Sequence, residues 1–230
     1  MRGYKPSVSR ISLVLLYGGM TGIVGVAALV GCGGSNDSSS GSGGLPGGKA
    51  TMDQVTRGRA LVTTMGCPDC HNRSINDPSD PKWLSGYVAG TPGQPFQIGP
   101  FKTYPRNLTP DMTTGIGMHS DRQIFNALRY GLSPDDTADV TITSTTPGQG
   151  NFPATPHYLA PPMPWPSTRH LSDDDTWAIV AYLKHGIKAV NNTVPASQDP
   201  PDFWASSYTA SAVGPATFPT YPAGNEQFAP

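Results

Sequence analysis

Apolar residues recur at helical spacing in three places, and each place carries its own start or stop signals. Between Met52 and Met65, the residues Val55, Leu61, Val62 and Met65 supply the apolar positions, and Gly66 is a natural stop. The second stretch begins at Ser120, which forms an S-x-x-Q capping box with Gln123. Ile124, Phe125 and Leu128 give it an apolar face, and Gly131 ends it. The third begins at Ser172. Asp173, Asp174 and Asp175 fill its first turn, where negative charge complements the helix dipole. Trp177, Ile179, Val180 and Leu183 follow, Lys184 and His185 lie in the last turn, and Gly186 closes it. Val140-Thr141-Ile142-Thr143 is the one strand candidate. The pattern predicts an all-α fold of short helices. Gly and Pro make up 52 of 230 residues, so the loops between helices must be long.

A different pattern occupies the N-terminus. Residues 1–10 carry Arg2, Lys5 and Arg10 with no acid, and residues 11–30 are apolar or small throughout. A charged n-region followed by an apolar h-region is an export signal. Leu29-Val30-Gly31-Cys32 closes the segment and resembles a bacterial lipoprotein signal. That resemblance implies cleavage after residue 31 and lipidation of Cys32, which would hold the chain at a membrane surface. Two readings stand beside it. Twenty apolar residues are also long enough for an uncleaved transmembrane anchor, and Cys32 could be incidental to an ordinary export signal. All three put the rest of the chain outside the cytoplasm. Gly33 occupies the place where the familiar inner-membrane retention signal has Asp, which leaves outer-membrane sorting open. Residues 32–50 are mostly Gly and Ser and predict a flexible tether.

The remaining 180 residues suit one domain. Removing the three cationic residues of the signal from 15 leaves 12 basic against 16 acidic residues, a net of −4. Charge is sparse and unpatterned, with no basic patch for nucleic acid.

Cys67-Pro68-Asp69-Cys70-His71 carries the candidate chemistry. C-x-x-C-H is the pattern of c-type haem attachment. Two cysteines at this spacing can reach the two vinyl groups of one haem as thioethers, and the histidine can ligate the iron. The motif occurs once, so one haem is expected. A structural zinc site needs a further ligand pair, and a thioredoxin-like site needs a βαβ context; the sequence offers neither.

With its helices placed around this motif, the chain resembles a class I cytochrome c. A helix leads into the attachment site, and a terminal helix, Asp174 to Leu183, packs across it. The resemblance implies that a small residue on the first helix allows close approach, with Gly58 facing Trp177 or Tyr182. Three further segments narrow it: Asn107-Leu108-Thr109-Pro110-Asp111, Thr114-Gly115-Ile116-Gly117, and Ala127-Leu128-Arg129-Tyr130-Gly131. With Pro162-Met163-Pro164-Trp165, these resemble the cytochrome subunits of bacterial membrane-bound dehydrogenases, over about residues 51–190. Such subunits typically carry three haem motifs, so this chain reads as a single module. The implied organisation is a signal over 1–31, a tether over 32–50, a cytochrome domain over 51–190 and a Pro- and aromatic-containing tail over 191–230.

The sixth iron ligand decides what a haem can do, because His/Met ligation favours electron transfer. Met163 lies in a proline-rich loop just before the last helix, and the family position agrees. His157 is the runner-up, ahead of His119, His170 and His185. A backbone carbonyl should orient His71, and the resemblance points to a Gly-Pro segment, with Gly99-Pro100 the candidate. Arg106 and Asn107 are candidates for a haem propionate. Six aromatics from Phe203 to Phe228 predict that the tail wraps the domain or docks a partner. The expected function is one-electron transfer between redox proteins. A subunit role in a larger dehydrogenase, and an open-iron enzyme or gas sensor, are the alternatives.

Overall fold

Thr51 opens the first helix, α1 (Met52–Thr64), through a reciprocal capping box with Gln54. Gln54 N–H donates to Thr51 Oγ1 at 3.2 Å, and Thr51 N–H donates to Gln54 Oε1 at 2.9 Å. Gly66 then turns the chain in the left-handed region, at φ +75°, and Pro68 helps start the short α2 (Cys67–His71). In this computed structural model the described residues are 45, 48–198, 202–217 and 219–229. The export segment, Cys32 and most of the tether lie outside them. No helix among the described residues is long and apolar enough to cross a membrane.

The Ser120–Gln123 capping box starts α3 (Asp121–Tyr130), and Gly131 caps its end at φ +70°. The short α4 (Trp165–Thr168) precedes α5 (Asp173–Ala181), whose N-cap is Ser172. A π-helical turn, Tyr182–Gly186, continues α5. The three helices expected from apolar spacing are thus α1, α3 and α5.

Helices α1 and α5 cross at Gly58. A Cβ there would lie 1.9 Å from the Ala178 carbonyl oxygen and 2.8 Å from Tyr182 Cβ. Tyr182 is therefore a neighbour as expected, but the closest atoms belong to the Ala178 backbone. The main core gathers Val62, Ile124, Phe125, Trp177, Val180 and Tyr182, with others. Phe125 and Trp177 stack at 4.4 Å between ring centroids, which joins α3 to α5. At the surface, Arg57 Nε donates to Asp175 Oδ1 at 2.5 Å across the α1–α5 crossing.

The only sheet among the described residues is an antiparallel hairpin, β1 (Phe96–Ile98) with β2 (Phe101–Thr103). Sequence reading missed it, since three-residue strands show too little alternation to register. The segment at 140–143 forms no strand. Its Ile142 instead plugs a second small cluster with Leu132 and Phe152. The helix-rich architecture is compatible with a cytochrome c fold.

Beyond α5 the described residues pack back on the same unit. Asn192 Nδ2 donates to the Ser85 and Tyr87 carbonyls at 2.7 and 3.0 Å. Gln198 forms a bridge with Lys102 of β2, and Trp204 packs edge-on against Phe101 at 4.7 Å. Wrapping therefore accounts for part of the tail's aromatic content. Phe228 and Tyr221 remain exposed.

Candidate haem site

Three candidate attachment and ligating groups, Cys67, Cys70 and His71, share α2, a helix of five residues. Neither Cys67 nor Cys70 is in a disulfide. Burial pushes the Cys67 thiol up to about 11, and burial also raises Cys70. Buried thiols with raised values carry little thiolate. A redox-active C-x-x-C depends on a lowered value. No group of three or more His, Cys, Asp or Glu side chains among the described residues could hold a metal ion.

His71 is held on several sides. Its carbonyl accepts from Gly86 N–H at 2.9 Å, and its Nδ1 lies 2.7 Å from the Arg106 carbonyl oxygen. A carbonyl oxygen can only accept, so Nδ1 carries the proton. The neutral ring then keeps its lone pair at Nε2, which is the form that ligates a metal. Burial lowers the His71 pKa, opposed by the hydrogen bond to Arg106, and so favours the neutral ring. The next residue, Asn72, is fully buried. Its Nδ2 donates to the Ile75 carbonyl at 2.7 Å and its Oδ1 accepts from Leu84 N–H at 3.2 Å. Gln94 Nε2 donates to the Cys70 carbonyl at 2.8 Å.

The acceptor for His71 was expected at Gly99-Pro100. That dipeptide is instead the turn between β1 and β2, and the Arg106 carbonyl takes the role. Gly86 makes this approach feasible. It sits at φ +85°, and a Cβ there would lie 2.7 Å from Arg106 C and from the Pro105 oxygen. The Ser85-Gly86 and Pro105-Arg106 pairs were the available signals, but only the fold brings them together.

The propionate candidates fare differently. Asn107 is buried and committed elsewhere. Its Nδ2 donates to Thr114 Oγ1 and the Val190 carbonyl, and its Oδ1 accepts from both Thr109 N–H and Thr109 Oγ1. It braces the 107–114 loop, and both hydrogens of its side-chain amide are already donated. Arg106 is exposed, and its Nη1 donates to the Pro195 carbonyl at 3.2 Å. Its contribution to the His71 site comes from its backbone.

Met163 is partly buried and packs against the same apolar core as Cys67 and Leu108. The loop that carries it is tied to α3 on both sides. Leu159 N–H donates to the Gly131 carbonyl at 2.7 Å, and Thr168 Oγ1 donates to the Leu128 carbonyl at 2.7 Å. Trp165 lies flat over Gly131, where a Cβ would meet its ring at 2.2 Å. The runner-up ligand His157 has its Nδ1 2.6 Å from Asp202 Oδ2. His119 and His185 face Asp135 and Asp121.

These residues fit a covalently attached haem. Two unpaired thiols share one helix, an imidazole presents Nε2, and a thioether borders the same core as Cys67. Sequence reading did not anticipate the hold on α2 by Asn72, Gln94 and Gly86. It also missed a buried hydrogen bond from Trp83 Nε1 to Tyr182 Oη, at 2.8 Å.

No protein-family model matches the chain. Among curated proteins, it is 31% identical over 136 residues to the gluconate 2-dehydrogenase cytochrome c subunit of Pantoea cypripedii. That match covers 59% of this chain and 24% of the relative. The fructose dehydrogenase cytochrome subunit of Gluconobacter japonicus is 27% identical over 66% of this chain and 25% of its own length. The cytochrome c subunit of a quinone alcohol dehydrogenase from Gluconobacter oxydans (strain 621H) is 29% identical, over 59% of this chain and 22% of the relative. The chain thus spans about a quarter of the length of these relatives. All three of these relatives are named as cytochrome subunits of dehydrogenases.

Proposed function

We propose that the chain is a monohaem c-type cytochrome that transfers single electrons, attached through Cys67 and Cys70 and ligated by His71 and Met163. When bound, the haem supplies an iron that alternates between ferrous and ferric states. The chain's residues do the rest. Cys67 and Cys70 fix the group on α2. His71 offers Nε2, with its tautomer set by the Arg106 carbonyl, and a hydrogen bond of this kind raises the basicity of a ligating imidazole. Met163 offers a soft thioether, which biases iron towards the ferrous state and raises its potential. The observation that carries this reading is the His71 Nδ1 hydrogen bond to Arg106 directly beside two unpaired thiols.

Cys32 anchors the chain to a membrane through lipid on the extracytoplasmic side, and the Gly/Ser tether lets the haem domain range between partners. The names of the relatives make a dehydrogenase the favoured electron donor, whether in a stable complex or in passing encounters. Purification from native membranes distinguishes these two: co-elution of a dehydrogenase subunit supports the complex, and its absence supports passing encounters.

The ligation is tested by spectroscopy. Met163→Ala should keep haem covalently attached, bind carbon monoxide in the ferrous form and lower the midpoint potential. Cys67→Ala and Cys70→Ala should each weaken or abolish normal attachment on haem-stained denaturing gels. Wild-type protein that binds carbon monoxide readily would replace electron transfer by open-iron chemistry.

A further inference from the structure

Met163 lies between two stems, and both are covered from outside by the chain beyond α5. The first stem is His157–Leu159. Asp202 Oδ1 accepts from Tyr158 N–H at 2.9 Å, and Asp202 Oδ2 lies 2.6 Å from His157 Nδ1. The second stem begins at Trp165, which stacks on Tyr158 with 5.5 Å between ring centroids and 3° between planes. Tyr208 closes over both rings edge-on, at 5.3 Å from Tyr158 and 4.8 Å from Trp165. Gly214 lies beside the ring of His170, and the buried Val213 precedes it. Earlier in the tail, Pro195 accepts from Arg106, whose own carbonyl orients His71.

We propose that residues 202–214 form a strap that holds the Met163 loop in its ligating position, with Asp202 as the clasp. This rests on the His71/Met163 ligation proposed above. Between its stems the loop holds itself weakly. Met163 N–H donates to the Ala160 carbonyl at 3.1 Å and Trp165 N–H donates to the Met163 carbonyl at 2.9 Å. The Met163 side chain is itself only partly buried. A thioether is a weak ligand, so its occupancy of the iron follows how well the loop is positioned. Through one carboxylate Asp202 holds the adjacent residues His157 and Tyr158, which lie 45 and 44 residues earlier in the chain. It is a positioning residue, which acts on the iron through Met163.

The test uses the full-length ferric protein and free imidazole, which competes with the methionine for iron. Apparent imidazole affinity rises in proportion to the fraction of molecules whose iron is released from Met163. Asp202→Asn removes the charge while keeping a residue type that tolerates the native φ of +69°. It should tighten apparent imidazole binding about tenfold, the low end of what losing an outer-shell partner costs. The long-wavelength absorption band of thioether-bound ferric iron should weaken in step, with the helical far-ultraviolet signal unchanged. Tyr208→Ala, a second variant away from the carboxylate, should move both readouts in the same direction. Met163→Ala sets the upper limit of imidazole affinity. Wild-type imidazole affinity in both Asp202→Asn and Tyr208→Ala, beside tight binding in Met163→Ala, overturns the strap and leaves the ligation standing. Unchanged imidazole binding in Met163→Ala removes the ligation, and the strap falls with it.

Discussion

Gly58→Ala is the sharpest probe of the frame that carries α2. The added Cβ would lie 1.9 Å from the Ala178 carbonyl oxygen and 2.6 Å from its carbon. Real Cβ atoms essentially never come closer than 3.0 Å, so the two helices must part by about 1 Å. Both nearest atoms are backbone, and no rotamer change relieves the clash. Overpacking of this kind costs about 1–3 kcal/mol. Alanine's better helix propensity returns about 1 kcal/mol. Because the clash sits at the helix crossing itself, the upper part of the overpacking range applies, which leaves a net loss of about 2 kcal/mol. For a domain of this size that is a fall in Tm of roughly 4–8 °C. Denaturant unfolding of the haem-loaded protein, followed by far-ultraviolet circular dichroism, measures it. Ala60→Gly, on the exposed side of α1, calibrates propensity alone and should cost about 1 kcal/mol. Gly58→Ala protein as stable as wild type would refute the close crossing, since propensity alone cannot hide a backbone clash of this depth.

Trp83→Phe should strand the Tyr182 hydroxyl in the core and cost about 1–3 kcal/mol; the double variant with Tyr182→Phe should recover part of that loss, and strict additivity in unfolding free energy would argue against the bond. Asp111 is held down to about 2 by hydrogen bonds from Thr114 and Thr113, below an ordinary 3.8. Its pKa is lowered on folding, so its contribution is complete above about pH 4 and disappears as pH falls through about 2. Asp111→Asn should therefore be less stable than wild type at neutral pH and converge with it near pH 2, as acid titrations of unfolding free energy will reveal; a gap that persists at pH 2 contradicts the assignment. Cys32→Ser should move the protein from the membrane fraction to the soluble one. Continued membrane association with an uncleaved N-terminus would favour a transmembrane anchor.

The parts of this fold that were legible in the sequence are those specified locally. Ser120 with Gln123, Ser172 before three aspartates, and Gly131 after Tyr130 each fix a helix end by chemistry within one turn, and the helices start and stop there. The capping box at Thr51 and Gln54 was equally local and was passed over only because Met52 drew the boundary by apolarity. The hairpin at 96–103 was not legible, because three residues cannot display a period. Asn107 illustrates a different limit. Its type suits a propionate, a turn or a buried brace, and the choice is made by Val190, 83 residues away. Gly99-Pro100 failed for a similar reason: a dipeptide matching a family motif says nothing of which carbonyl the fold delivers to His71.

What the fold delivers there also bears on why the two proposed ligands sit on irregular segments. His71 ends a five-residue helix, and Met163 lies in a loop between prolines. Neither position is rigid by its own secondary structure. Each is fixed by backbone groups and side chains that arrive from far along the chain: the Arg106 carbonyl and the Gly86 N–H at His71, and Gly131 and Asp202 at the stem before Met163. Buried polar groups that are fully paired define one arrangement more sharply than apolar packing does, because slipping by one residue leaves a donor or acceptor unpaired. An iron that gains and loses an electron needs ligands that stay in place in both states. With the ligation proposed above, a network of long-range hydrogen bonds around short, irregular carriers would supply that constancy, while the α1–α5 crossing at Gly58 supplies the platform on which α2 stands.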